Sequence, residues 1–512
     1  MRLYYTEIFR HKIEIFYIIF YLTFLLLFAF LIDIFGILNA TKFIFGLCIA
    51  SIFLYFTFRK NIYGLWFLLT LFYFIPYSSP DYLARIGEKP YFSLFKRFNS
   101  TFCLWDVLIF SLAGLILIKK LVKRDLKFIG IQYKEIRWYV YLMAFAFING
   151  FLHVSGSFLS YGPTESLRPI IAFMPFFYFI TVYLLTVNTV TSKSDLDKTL
   201  NFIWVLTLLL ICHSIYRLLG ILTGRIDALM MFGLPMILYD QMTFLYYPIF
   251  LYTAMIFLKV KSKKKNFLIA FSLFLIILSG TRRYFYLILI FGFIITLFLV
   301  YKIKEINLKI IFKKIFKIIT VLFIVFLMLM ILIPSFAKGV YDSIKSLYFI
   351  SEYGLSQGGG IRINEILNMF LNMNQRKYSY IIGFGLGTRW EAIKESSYTS
   401  FFELDFGKEE INKGNNWWPQ FHLPYISLLY VYGILGFIIV LIIISMFLKR
   451  SIYFVKSGNN KYYQAQLIAI TAYLTTSMFF LGDSCDPTLA IFCGVLYGLL
   501  VSINKFVVQN LN

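Results

Sequence analysis

Runs of apolar residues, interrupted by short polar connectors, fill most of this 512-residue chain. Crossing a bilayer core takes about 20 apolar residues, with a range of about 17–25. By that measure the pattern predicts 14 helical spans, at 14–32, 43–58, 62–77, 104–118, 138–152, 169–189, 199–222, 241–258, 266–280, 284–301, 316–333, 423–448, 464–482 and 487–504. One stretch departs from it: residues 334–422 are largely polar and end in FHLPYISLLYVYGILG, where the chain re-enters an apolar run. The expected architecture is an all-α polytopic transmembrane bundle in three parts. Residues 1–333 hold the first eleven helices, 334–422 form a large, partly helical outer loop, and 423–512 hold the last three helices. An even number of spans puts both termini on one side of the membrane.

Composition agrees with this pattern. The chain is 60% hydrophobic and only 14% charged, against roughly 45–50% and 25% for soluble domains. The formal charge of +24 would suggest nucleic acid in a soluble protein. Here the lysines cluster in short connectors, where topology accounts for them, and nucleic-acid binding is rejected. The first apolar run, Ile15 to Ile32, lacks a small-residue cleavage site and reads as a span rather than a signal peptide. Aromatic side chains are frequent at 21%, but in a chain so rich in Phe, Ile, Lys and Tyr their number alone carries little functional meaning. Cys48, Cys212 and Cys493 fall within spans and read as small apolar residues, while Cys103 and Cys485 fall near the outer surface with their pairing open.

Charge orients the bundle. The segments Lys119 to Arg137, Lys259 to Lys265, Lys302 to Lys317 and Lys449 to Lys461 all fall on one side, with Arg2, Arg10, Lys12, Arg59, Lys60, Lys193, Lys198 and Lys505. That side is expected to be cytoplasmic. It holds 24 Lys and 6 Arg, whereas the outer side holds 9 Lys and 10 Arg. Any positive charge serves topology, but a planar guanidinium is preferred where phosphate or carboxylate is gripped at two points. The outer set is Arg85, Arg97, Arg168, Arg217, Arg225, Arg282, Arg283, Arg362, Arg376 and Arg389. It points to an anionic ligand, with ion pairing to outer acids such as Asp81, Glu88, Glu165, Asp227 and Asp240 as the plainer explanation.

Within the long polar segment, IRINEILNMFL places Ile363, Ile366, Leu367, Phe370 and Leu371 on one helical stripe. Arg362 and Glu365 lie off it, so the stripe is expected to rest on the bundle or lipid while these two face a cleft. GGG at 358–360 and GFGLG at 383–387 lack the strand and spacing of nucleotide-binding loops and read as hinges. Of four histidines, His11 is a surface residue of the basic N-terminal segment and His153 sits at an outer helix end, as a solvated cap or a functional group. His213 and Arg217 share a helix face, as a packing pair or a polar cluster. His422, with an ordinary pKa of about 6.5, is the best candidate base; a membrane-interface histidine is the alternative. Arg282 and Arg283 in SGTRRYFY could hold a diphosphate, or one of them could satisfy a helix C-terminus. No HExxH or CxxC occurs, Asp195 and Asp197 form a DxD in a lysine-flanked cytoplasmic loop, and Glu403 with Asp405 reads as a solvated turn, so neither a metal nor a cofactor is implied.

Taken in order, SGTRRYFYLIL, GGGIRINEILNMF, IIGFGLGT and HLPYISLLYVYGILG resemble the bacterial O-antigen polymerase and O-antigen ligase superfamily, membrane glycosyltransferases of the C type. The resemblance covers Ser279 to Gly436 in detail and the preceding residues only as a succession of spans. Leu423 stands where the family often has an asparagine, and a tryptophan often found after the loop arginine is absent, which leaves polymerase and ligase both open. The resemblance implies that Arg282 and Arg362, with Arg283 as a lesser contact, bind the pyrophosphate of a polyprenyl-linked oligosaccharide donor. It places His422 at the attacking hydroxyl, and Arg168, Arg217, Arg389 and Tyr425 as further substrate contacts. It also implies an inner-membrane location, inversion at the anomeric carbon, no cofactor, and a chain-length-regulating co-polymerase as a partner. A lipid-linked oligosaccharide flippase is the non-enzymatic alternative; it calls for internal repeats, and none is evident.

Overall fold

The computed structural model describes residues 51–57, 59–74, 97–98, 102–122, 133–156, 168–223, 230–231, 234–235, 243–260, 285–304, short pieces between 327 and 341, 359–388, 390–391, 417–418, 424–458, 460–478 and 487–508. The chain forms two compact units, Met1–Tyr55 and Phe56–Asn512. Only residues 51–55 of the first are described, all helical. All other described residues belong to the second.

The described residues of the second unit are helical, apart from connecting turns and three two-residue antiparallel pairings: Arg97–Phe98 with Phe102–Cys103, Met230–Met231 with Leu234–Pro235, and Trp390–Glu391 with Trp417–Trp418. The helices are α1 (Asn61–Phe74), α2 (Leu104–Val122), α3 (Lys134–Gly156), α4 (Arg168–Thr189), α5 (Lys193–Leu222), α6 (Thr243–Phe257) and α7 (Phe285–Lys304). They continue as α8 (Gly359–Gln375), α9 (Ser379–Ile382), α10 (Pro424–Ser457), α11 (Lys461–Met478) and α12 (Pro487–Ile503), the last ending in a π turn, Asn504–Val508. Among the described residues four segments are long and apolar enough to cross a membrane: Ala172–Thr189, Lys193–Gly220, Ile426–Ser457 and Leu489–Phe506. They point to a multi-pass membrane protein. The expected spans at 14–32 and 266–280, and most of those at 43–58 and 316–333, lie outside the described residues.

Two expected helix limits move for identifiable reasons. Helix α5 starts at Lys193, six residues before the predicted 199, because Ser192 caps it by accepting the Asp195 N–H at 3.1 Å. Asp195 therefore stands in the first turn, where a carboxylate suits the helix dipole, and Asp197 in the second, not in a loop. Lys60 Nζ holds Asp195 at 2.8 Å, and the Tyr463 hydroxyl donates to Asp197. Helix α10 runs past the predicted 448 to Ser457, carrying Lys449 and Arg450 inside it. Arg450 is more than a topological charge: it pairs with buried Glu135 of α3, lies 3.9 Å from the Tyr133 ring centroid, and donates to the Tyr497 hydroxyl at 3.3 Å. Tyr497 in turn donates to Glu135 at 2.8 Å.

Helix α12 makes its most extensive packing against α4. Its Gly494 and Gly498, spaced as in GxxxG, lie directly on the α4 backbone. A Cβ on Gly494 would stand 2.6 Å from the Phe179 carbonyl oxygen, and one on Gly498 would stand 2.5 Å from Thr186 Cβ. Lipid tails supply no hydrophobic drive between helices, so small residues that let backbones approach stabilise such contacts. Behind this seam the aromatic residues build a core. Phe244 of α6 lies 4.4 Å from the Tyr73 ring, 4.6 Å from Phe72 and 4.9 Å from Phe492, and Tyr473 meets Phe492 edge-on at 5.3 Å. Six buried hydroxyls are satisfied within their own helices: Thr186, Thr207, Ser214, Thr253, Thr471 and Ser502 each donate to the carbonyl four residues back.

Candidate functional site

The described part of the long polar segment docks on the bundle through its backbone. Helix α10 begins at Pro424, whose fixed φ and missing N–H suit a first helical turn, and breaks at Gly433, with φ +65 and ψ −173. In an unbroken helix the carbonyls of Tyr430 and Val431 would accept the N–H groups of residues 434 and 435. Here they accept from Phe384 at 2.8 Å and Gly385 at 2.9 Å, while Leu386 N–H donates to the Ala146 carbonyl of α3 at 2.9 Å. The Asn149 side-chain amide donates to the carbonyls of Ile382 at 3.2 Å and Gly383 at 3.1 Å. Broken backbone inside a membrane protein is tolerated where buried protein partners satisfy it, and these contacts do so.

Four glycines make the approach possible. A Cβ on Gly150 would stand 2.0 Å from the Leu386 carbonyl oxygen, one on Gly383 2.2 Å from the Val431 oxygen, one on Gly385 2.0 Å from the Gly150 nitrogen, and one on Gly433 2.4 Å from the Ile381 oxygen. GFGLG is therefore a buried three-way backbone junction of α3, α10 and the long polar segment, and the expectation of a hinge there is corrected. Glycine serves close approach and positive φ in this place, not freedom of movement.

Apolar packing continues the junction. Met369 and Met373 of α8 form one cluster with Phe384 and with Ile426 and Tyr430 of α10, and the Phe384 and Tyr430 rings stack at 4.6 Å. The buried face of α8 is Asn368, Met369, Asn372 and Met373, whereas Leu367 and Phe370 of the predicted apolar stripe are exposed. Of the stripe, Ile366 packs against this cluster while Leu367 and Phe370 face outward. In a membrane protein an exposed apolar face suits lipid, and helical spacing puts positions 362 and 365 on the side of Met369 and Asn372.

The candidate residues fare differently. Arg362 lies in the first turn of α8 and Tyr425 in the first turn of α10, and the shared cluster brings these two helices together. His422, two residues before α10, and Arg282, Arg283 and Arg389 lie outside the described residues. Arg168 is the first residue of α4. Arg217 is buried on α5, only 4% exposed, while His213 is exposed, so the two do not form a common buried cluster. Helix α5 packs chiefly against α1, α6 and α12, away from α8 and α10. Among cysteines, Cys212 and Cys493 are free thiols, and Cys485 lies outside the described residues. Among the described residues no three His, Cys, Asp or Glu side chains gather as a metal site would require.

The junction also holds groups that the sequence left in the background. Arg376, just after α8, donates from a guanidinium nitrogen to His153 Nδ1 at 2.7 Å. The His153 ring lies nearly parallel to Tyr378 at 5.8 Å and 5.5 Å from Phe384. Partial burial, with the Arg376 charge beside it, lowers the His153 pKa. A guanidinium can only donate, so Nδ1 accepts and the neutral ring carries its proton on Nε2. The signals for this region were the Asn149–Gly150 pair inside an apolar helix and Gly433 inside another. Neither points to a partner until the chain is folded.

No family model matches this chain, and no curated protein is significantly similar to it.

Proposed function

We propose that this chain is an integral-membrane glycosyltransferase that polymerises polysaccharide repeat units of O-antigen or capsule type. The observation that carries the reading is the glycine junction and the methionine cluster, which hold the helix bearing Arg362 against the start of α10, directly after His422. The helix that carries Arg362 and the first turns of α10, which begin two residues after His422, are thereby packed together. The arginine excess on the outer side and the ordered resemblance of Ser279–Gly436 to the O-antigen polymerase and ligase superfamily support the same assignment.

In this reading the acceptor hydroxyl oxygen attacks the anomeric carbon of a glycan carried on polyprenyl diphosphate. The carbon–oxygen bond to the diphosphate breaks, its electron pair leaves with the phosphate, and the hydroxyl proton passes to His422. A single in-line displacement inverts the anomeric centre. Arg282 and Arg362, with Arg283 as a lesser contact, stabilise the departing charge as fixed guanidiniums, and neither metal nor cofactor is required. The protein would sit in the bacterial inner membrane through about 14 spans, with both termini cytoplasmic and the long segment outside. A chain-length-regulating co-polymerase would be a natural partner.

Substitution tests the mechanism. His422→Ala, Arg362→Ala and Arg282→Ala should each abolish chain extension with insertion unchanged, and Arg362→Lys should rescue poorly because it loses the fork. Wild-type polymer length in the His422→Ala strain would remove that residue from the mechanism. Removing the protein distinguishes the related chemistry: single repeat units on lipid A core indicate a lost polymerase, and long polyprenyl-linked polymer a lost O-antigen ligase. Translocation of lipid-linked glycan in liposomes without extension would instead establish a flippase.

A further inference from the structure

We infer that Arg376, positioned by His153, binds the phosphate of a polyprenyl lipid at the membrane boundary, as a second lipid-phosphate site separate from the one at Arg362. The inference deepens the proposed polymerase, on which it rests: such an enzyme handles two lipid-linked substrates, and this site takes the carrier of the acceptor.

The first argument concerns charge. An exposed arginine is ordinarily neutralised by a carboxylate or solvated on a polar surface. Among the described residues Arg376 is paired with a neutral imidazole rather than a carboxylate, and the 2.7 Å hydrogen bond fixes the direction of the guanidinium without neutralising it. Lys377 follows it, also exposed. A forked, charge-retaining guanidinium fits a phosphate dianion.

The second argument concerns surroundings. The polar turn is bordered by large exposed apolar side chains: Leu152 at 65%, Ile381 at 60% and Phe370 at 45% exposure. These are surfaces for an isoprenoid tail, with Tyr378 stacked on His153 at the seam between apolar and polar. A soluble anion would gain nothing from that border, whereas a lipid places its phosphate and tail on the two sides of it. The third argument concerns distance. Fourteen residues of helix at 1.5 Å each separate positions 362 and 376 by about 20 Å, so one diphosphate cannot span both. A carrier held at Arg376 leaves that length for its oligosaccharide to reach toward the start of α8 and α10.

The test counts lipids bound to the full chain. Purified protein, with polyprenyl monophosphate as the probe, is titrated in phosphatidylcholine nanodiscs and read by native mass spectrometry. Wild type should bind two lipids and Arg376→Ala one, with at least a tenfold loss of affinity at the vacated site. His153→Ala should weaken that site, and Arg376→Lys should retain it partly. Since Arg376 is exposed, the variants should elute as wild type does; if Arg376→Ala does not, the Arg376→Lys comparison decides. Two lipids still bound by Arg376→Ala would overturn the inference. So would equal occupancy by phosphatidylglycerol at the same mole fraction, or displacement by millimolar inorganic pyrophosphate. A wild type that binds one lipid, lost in Arg376→Ala, would uphold this site and defeat the Arg362 reading instead.

Discussion

Replacing Gly433 by alanine should detach the 383–388 arm from the bundle while the long helices remain folded. The backbone there, φ +65 and ψ −173, lies in a region essentially confined to glycine, and another residue costs about 1–3 kcal/mol there. The added Cβ would also stand 2.4 Å from the Ile381 carbonyl oxygen and 2.5 Å from the Gly383 nitrogen. Both are backbone atoms that no rotamer change can move. Relieving the clash means parting the two strands of chain, which breaks the bonds from Phe384 N–H to Tyr430 and from Gly385 N–H to Val431. Each buried group left unpaired costs about 1–3 kcal/mol. Strain and two lost bonds together come to roughly 5 kcal/mol, and at 1.4 kcal/mol per tenfold the local opening equilibrium shifts by about a thousandfold or more. Hydrogen exchange across residues 383–388 reads this directly, in detergent or nanodiscs. Wild type should be protected there and Gly433→Ala should exchange rapidly, with α4 and α12 unaffected. Gly114→Ala is the control, because nothing stands within 4 Å of a Cβ at that position. Unchanged protection of 383–388 in Gly433→Ala would refute the idea of a rigid junction.

Glu135→Ala leaves the Arg450 charge buried without its carboxylate and should cost about 3–5 kcal/mol, whereas Glu135→Leu with Arg450→Met should recover most of it; thermal unfolding in one detergent compares them. Gly494→Val should separate α12 from α4, costing about 1–3 kcal/mol by overpacking and lowering the unfolding temperature, with Gly114→Ala again as reference. The His153 contact should weaken in acid. The pKa of His153 in the folded chain lies below its ordinary 6.5, so its contribution is complete above about 6.5 and declines as the pH falls from there toward the lowered folded value. Protection at residues 376–378, relative to the intrinsic exchange rate at each pH, should fall as the pH drops through that window and stay constant in His153→Gln; flat wild-type protection would contradict the assigned tautomer.

Apolar run length decided most of the helix positions before any folding, because spanning or packing against a bilayer demands about 20 consecutive apolar residues whatever lies beside them. The same local logic placed α8 over IRINEILNMFL and the start of α10 at HLPYISLL. It left α8's orientation open between bundle and lipid: periodicity finds the apolar stripe but cannot tell the two apart, and here Asn368, Met369, Asn372 and Met373 are buried while Leu367 and Phe370 are exposed. GFGLG looked mobile for a similar reason. Glycine read alone means freedom, whereas Gly383 and Gly385 set against Gly433 and Gly150 mean contact between backbones too close for any side chain. Only tertiary structure could decide that, since the partners are contributed by helices nearly 50 and more than 200 residues away in sequence. It also decided that Arg450 is half of a buried ion pair and that Arg376 leans on His153. What the sequence determined by itself is the helical, membrane-adapted scaffold and the chemistry available to it; which of those groups meet was set by the break at Gly433, whose released carbonyls gave the 383–388 arm a place to bind.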